Sequence, residues 1–359
     1  MKLLLISYGF MESDGRLCNL ISVFEQMGEL STFTRGIRPR TQRNIICNSS
    51  YPLFIIRAVN YARNLGKIDV LILDDRKATI PGLLIRSLNL TNYIIQDCRE
   101  LYLFDEVKHF TGKVGCIFEK LMVQRADIVI CANRERAEIM KSRFSLLNYP
   151  LVYSNIRKLA YTTEKEKAKA QQRFASLLKQ NEYRIIVSSG CDLNRRTEVL
   201  VKNLKNVNKK CRLLLAGSNN PEEEETVRAL SALDTKNEVT ILGLLTHTEL
   251  KYLISQSHIG IVNYGQADTN NKYCASGKLF EFLYEGIPVV TTSNPPLKRI
   301  CEEEKIGVVD DQFADGINEV LRNYEFYKEK VKAYTERVTV EDNNRKLISE
   351  IENILGKLN

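Results

Sequence analysis

The sequence predicts an α/β protein of two tandem Rossmann-like domains. Each is a doubly wound parallel sheet, and the two face each other across a cleft. Three observations carry this. Short, continuous apolar runs recur along the chain, separated by segments of helical period, as expected of strands covered on both faces. The alternation lapses once, over residues 162–182, and then restarts. The chain has 359 residues, the length of two ordinary domains.

In order, "KLLLISY" (2–8) reads as a strand and 15–29 as a helix. "LSTFTRG" is the next strand, followed by a helix over 51–65. "KIDVLILDD" (67–75) is a buried strand, "PGLLIRSL" a short helix opened by proline, and "NYIIQD" (92–97) a strand. A helix over 106–125, the strand "ADIVICAN" (126–133), another helix and "LVYSN" (151–155) complete the first half. The lysine-rich stretch 162–182 shows little apolar periodicity and reads as the domain junction. Beyond it come strands at 184–190, 211–217, 238–243, 259–264, 287–293 and 306–311. Helices are expected over 196–206, 222–233, 246–256 and 278–285, and two more close the chain. The expected domains are 1–160 and 161–335, with a final helix, 336–359, returning toward the first. In such sheets ligands collect beyond the carboxyl ends of the strands, so the cleft is where a site is expected.

Composition narrows the class. The chain is 44% hydrophobic and 27% charged, as in ordinary globular proteins. No apolar run approaches the ~18 residues of a membrane span, and the start turns polar too soon for a signal peptide. Nine cysteines without paired spacing fit reduced thiols and a cytoplasmic setting. His109, His247 and His258 are too scattered for a zinc site, so a metal-free mechanism is expected. The net charge of +8 is uneven: residues 1–155 hold 21 Lys+Arg against 15 Asp+Glu. Arg35, Arg38, Arg40 and Arg43 cluster there. A solvated loop, a surface for anionic lipid head groups and a nucleic-acid patch compete as explanations, and the last lacks any accompanying module.

The stretch "KYCASGKLFEFLYEGIPVV" (272–290) carries the chemistry. A helix over 278–285 places Leu279, Phe282 and Leu283 on one face and Lys278, Glu281 and Glu285 on the other. Gly286 ends it. Ser276 and Gly277 sit at its exposed amides, where the macrodipole favours an anion and glycine allows close approach. Lys278 adds charge, and Glu281 can accept hydrogen bonds from two neighbouring hydroxyls. That is the layout of a phosphate beside a vicinal diol, as in a nucleoside diphosphate. A capped core helix with a dipole-favoured glutamate fits the same spacing. Glu281 and Glu285, like charges four residues apart, are a small cost that stability alone does not select.

This segment resembles the signature of GT-B glycosyltransferases of the family 4 type, with helix, glutamate, glycine and proline in that order. "VSSGCDLNRRTEVLVKNL", "RLLLAGS" and "VTILGLLTHTELKYLISQSHIGIVNY" agree with it over about 184–310. In the first half only "REL", "RADIVICAN" and "YSN" are recognisable. The resemblance implies that Glu281 binds the nucleotide ribose and that Arg196, with Arg195 beside it, holds the diphosphate. Gly190, Ser276, Gly277 and Leu279 complete the nucleotide side. Tyr273 stands where many members have an acidic residue contacting the donor sugar. Glu100 and Asn155 fall where the family lines the cleft.

Sugar transfer from such a donor builds an oxocarbenium-like sugar and negative charge on the leaving group. Arg195, Arg196, Lys278 and the amides at 276–277 are the available donors, each worth ~2.7–4 kcal/mol when preorganised. On the other wall, "YGFMESDGRLCN" contributes Gly9, Gly15 and Arg16. Asp14 and Asp97 are the candidates for activating an acceptor hydroxyl. There is no GxGxxG; Lys272 and Leu279 spoil a P-loop match; Cys274 lacks a histidine partner.

The expected activity is therefore metal-independent transfer from a nucleoside-diphosphate sugar to a hydroxyl. The resemblance implies retention at the anomeric carbon. The expected acceptor is a cell-envelope polysaccharide or lipid-linked glycan, reached at the inner face of the membrane through the basic first half, with no nucleic-acid partner. A nucleotide-sugar 2-epimerase and a non-catalytic binding subunit of the same fold are the alternatives.

Overall fold

The computed structural model describes residues 1–11, 14–39, 41, 43–178, 182–218 and 220–358. Arg40 of the basic cluster and part of the loop after the first strand lie outside the described residues. The chain divides into two compact units: Met1–Ile156 with Val340–Asn359, and Arg157–Thr339.

The first unit runs β1 (Lys2–Phe10), α1 (Gly15–Met27), β2 (Glu29–Arg35), β3 (Asn44–Ile46), α2 (Tyr51–Leu65), β4 (Ile68–Asp74), α3 (Thr79–Ser87), β5 (Thr91–Cys98), α4 (Phe110–Val123), β6 (Ile128–Cys131), α5 (Arg134–Arg143) and β7 (Leu151–Val152). Its seven strands are parallel, in the order β3-β2-β1-β4-β5-β6-β7. Apolar side chains leave both faces. Leu4, Ile6, Leu71 and Leu73 meet Phe54, Ala58, Ile85 and Met122 of α2, α3 and α4. Leu3, Leu5 and Ile72 meet Leu17, Leu20 and Phe24 of α1 on the other side, together with Leu347, Ile351 and Leu355. Those three come from α15 (Val340–Leu358), so the last helix is part of this unit's core.

The second unit runs α6 (Glu164–Phe174), β8 (Tyr183–Val187), α7 (Thr197–Asn203), β9 (Cys211–Ala216), α8 (Pro221–Ser231), β10 (Glu238–Gly243), α9 (His247–Ser255) and β11 (Ile259–Val262). It continues through α10 (Thr269–Lys272), α11 (Gly277–Tyr284), β12 (Val289–Thr291), α12 (Pro295–Glu304), β13 (Gly307–Val309), α13 (Ala314–Arg322) and α14 (Tyr324–Arg337). Six parallel strands are ordered β10-β9-β8-β11-β12-β13.

Several sequence expectations change. The polar stretch 162–182 is not all junction: Thr163 caps α6 by accepting from Glu166 N, and Ala170 and Phe174 are buried. β3, α10 and α12 were not expected, and three helices rather than two follow β13. Among the described residues no helix is long and apolar enough to cross a membrane, and none of the nine cysteines is in a disulfide.

Candidate functional site

In the second sheet the chain winds one way from β8 to β9 and β10, and the other way from β11 to β12 and β13. The switch point between β8 and β11 is where such folds leave room for a ligand. The turn after β8 carries Arg195 and Arg196. The segment after β11 leads into α11, seated closely because Gly260 lacks a side chain: a Cβ there would lie 2.4 Å from the Phe282 ring.

At the start of α11, the Ser276 hydroxyl accepts from Leu279 N at 3.4 Å. The cap thus uses the Leu279 amide, and the Leu279 side chain is core, so Leu279 does not face a ligand. Gly277 serves a close approach, but by a protein group. A Cβ on Gly277 would lie 2.3 Å from Arg157 Nε, and that nitrogen is 2.7 Å from Glu281 Oε1. Glu281 is buried, not on a solvated face; burial raises its pKa, against the pull of Arg157 and Lys278. Glu285 pairs separately with Lys251. The like-charge spacing is therefore answered by two counterions and is no signature of function. Arg157 escaped the sequence reading because nothing in "YSNIRK" places it beside a helix far along the chain.

Lys278 is half-buried. Burial and then the neighbouring Arg195 push it down to about 7 from an ordinary 10.5, while Glu281 holds it up. Arg195 stacks 4.2 Å from the Tyr264 ring centre and lies 3.3 Å from Asp192. Its Nη1 is buried without a hydrogen-bond partner. Arg196 is a correction. It holds left-handed backbone (φ 64°, ψ 30°), and its guanidinium donates to Asp311 Oδ1 at 3.1 Å and to the Asp311 carbonyl at 3.0 Å. In this structure Arg195, not Arg196, is the arginine beside Lys278. Gly190 (φ +67°) forms the turn after β8, its N–H donating to the Ala216 carbonyl at 2.8 Å. Tyr273 ends the short α10, half-buried.

In the first unit the expected bases are engaged. Arg16, buried, donates to both oxygens of Asp97 at 2.8 and 2.5 Å and to the Tyr153 carbonyl at 2.8 Å. Asp97 is wholly buried, so this pair is scaffold; neither Arg16 nor Asp97 faces an acceptor. Asp14 caps α1, which opens at Gly15, by accepting from Leu17 N, and pairs with Arg99. Arg99 also binds both oxygens of Asp74 at 2.6 Å, and Ser7 donates to Asp74 at 2.5 Å. Glu100 is half-exposed, 3.7 Å from Arg136; Asn155 is half-buried beside the unit boundary.

The carboxylates left over were not singled out in the sequence. Asp75 has φ 66° and ψ 171°, a conformation nearly reserved for glycine that gathers at functional sites. Glu119 on α4 is buried and pushed up to about 8 by desolvation and then by Asp75. Among the described residues neither is in an ion pair or side-chain hydrogen bond. The doublet "DD" at the end of β4 was the only available signal. No group of three or more His, Cys, Asp or Glu among the described residues is placed to hold a metal.

Residues 168–337 match the family described as Glycosyl transferases group 1. The match lies within the second unit. No curated protein sequence matches the chain. Among solved structures, sucrose-phosphate synthase from Thermosynechococcus elongatus is similar at 17% identity and TM-score 0.69, covering 99% of both chains. HepE from Anabaena, in complex with UDP and glucose, has 14% identity and TM-score 0.72, covering 98% of this chain and 100% of that one. UDP-GlcNAc 2-epimerase from Neisseria meningitidis reaches 0.62 at 11% identity, covering 99% and 100%. These likenesses establish the fold, GT-B, over the whole chain.

Proposed function

We propose that the protein transfers a sugar from a nucleoside-diphosphate sugar to an acceptor hydroxyl, with the donor on the second unit and the acceptor on the first. One observation carries this reading. Arg157 and Lys278 both act on the buried Glu281 near the start of α11, and Arg195, 3.3 Å from Asp192, lies beside Lys278. Lys278 is depressed first by burial and then by the charge of Arg195, against the pull of Glu281. A diphosphate adds negative charge beside these cations, and the orphaned Arg195 Nη1 gains a partner. The ion pair with Glu281 supports reading Arg157 as a stand-in for the ribose diol. When the nucleotide arrives, the guanidinium turns to the phosphates and frees the carboxylate for the hydroxyls.

Asp75 replaces Asp14 and Asp97 as the proposed contact for the acceptor hydroxyl, since its carboxylate is uncommitted. The acceptor is proposed to be a cell-envelope or lipid-linked glycan, and the transfer to proceed with retention. The uridine-nucleotide complexes of structures with this fold support a uridine donor.

A thermal-shift screen of uridine and guanosine diphosphate sugars tests the donor reading. Wild type should gain melting temperature, and Glu281→Ala should lose most of that gain while folding normally. Arg157→Ala should weaken nucleoside-diphosphate binding about tenfold yet bind the bare nucleoside at least as well as wild type, because Glu281 is then open. Equal shifts in wild type and Glu281→Ala would remove the carboxylate from the site. Incubation with the donor alone separates the epimerase reading, which requires a new nucleotide sugar to appear without acceptor.

A further inference from the structure

One face of the first unit combines exposed apolar side chains with cations that have no ion pair among the described residues. α3 packs against both α2 and α4, and together they cover one side of the seven-stranded sheet through Phe54, Ile85 and Met122. Their outward positions carry bare apolar side chains: Leu53, Ile56 (57% exposed), Leu84, Phe110 (80% exposed) and Ile117. Interspersed with them are the exposed cations Arg57, Arg63, Lys77, Arg86 and Lys120.

Acidic residues are missing from this layer. Residues 51–68 and 76–96 contain no Asp or Glu. The single acid of α4, Glu119, is buried beneath it. None of the five cations is in an ion pair among the described residues. On the opposite side of the same sheet, α15 pairs its charges in the usual way, Arg345 with Asp342 and Lys346 with Glu350. The layer's cations thus lack the acidic partners that Arg345 and Lys346 of α15 have.

We infer that the outer face of the α2–α3–α4 layer docks on an anionic lipid surface. Unpaired cations are drawn to acidic head groups, and exposed isoleucine, leucine and phenylalanine between them gain by entering the boundary with the acyl chains. Nucleic acid would use the charge but leave those side chains in water. A second copy of the same face would be repelled by its own charge. The inference extends the proposed lipid-linked acceptor, and its test involves no sugar transfer.

The test is flotation of the full chain with mixed phosphatidylglycerol–phosphatidylcholine vesicles, against pure phosphatidylcholine, at low and high salt. Wild type should float with the anionic vesicles, and high salt should weaken this about tenfold. The pair Ile56→Glu and Phe110→Glu, and separately the pair Arg57→Glu and Arg86→Glu, should each lower binding about tenfold. The α15 pair Lys346→Glu and Lys357→Glu should leave it unchanged. All variants should keep the wild-type melting temperature and nucleotide-sugar shift, which keeps the donor reading and the lipid reading separately decidable. No flotation of wild type, or equal flotation of the face variants, overturns the inference. So does a dimer, seen by light scattering without vesicles, that the same substitutions dissolve. Retention on RNA without flotation assigns the face to nucleic acid and overturns it as well.

Discussion

Lys278 is half-protonated near neutrality because burial and Arg195 push it down to about 7, and the proposed donor needs its charge. Binding a diphosphate returns the lysine toward its ordinary range, so binding takes up a proton. The affinity should be greatest below about pH 7 and fall as pH rises, by up to tenfold per unit. Stability of the free protein runs the other way. The unfolded chain holds this proton up to about 10.5, so the group's contribution to stability grows between about 7 and 10.5. Calorimetric titration with a nucleoside diphosphate between pH 7 and 9 should show the decline, and Lys278→Met should bind weakly with no such slope. A flat wild-type profile would sink the role given to this lysine. At this scale Lys278 and Glu281 were legible from their place in a helix start. Arg157 was not, since its partnership with Glu281 is made only by the fold, and the choice between Arg195 and Arg196 turned on which of them Asp311 holds.

The position of α11 depends on its contact with β11. Gly260 admits the Phe282 ring where a methyl would lie 2.4 Å from it. Gly260→Ala should therefore push the helix outward, at a cost of about 1–3 kcal/mol of overpacking. With a shift of about 2–4 °C per kcal/mol in a domain of this size, the melting temperature should fall by several degrees. Nucleotide affinity should drop as well, because the displaced helix carries Lys278 and Glu281. An unchanged melting temperature would show that the core gives way without moving α11. Strands at this scale were readable wherever an apolar run was long, as in β1, β4 and β9. α6 was missed because only Ala170 and Phe174 of its residues are buried. Three-residue β3 is held by pairing with β2, a long-range effect that three residues of sequence do not display.

At the scale of the whole molecule, Glu119 and His258 should give the two units opposite responses to pH. Glu119 in the first is raised to about 8, so the folded state holds a proton that the unfolded chain releases near 4.5. Its stabilising contribution is complete below that value and is lost as pH rises toward 8. His258 in the second sits against Tyr183 and Tyr324 and is lowered to about 4, mainly by burial. Its contribution is present above about 6.5 and is lost as pH falls toward 4. Scanning calorimetry between pH 8 and 5 should thus show the transition of the first unit rising and that of the second falling. Glu119→Gln should flatten the first trend; an unaltered trend in that variant would remove Glu119 as its source.

The sequence by itself determined that two parallel-sheet units follow one another, because burial on both faces demands apolar runs and helices demand their period, and both are local patterns. It also marked the helix start bearing Ser276, Gly277, Lys278 and Glu281, because caps and dipoles act within one turn. Only the tertiary structure decided which charges meet. It set Arg157 against Glu281, closed Asp97 with Arg16 and Asp14 with Arg99, and left Asp75 uncommitted. A carboxylate is available or engaged according to what the fold brings within a few ångströms of it, and spacing along the chain does not record that distance.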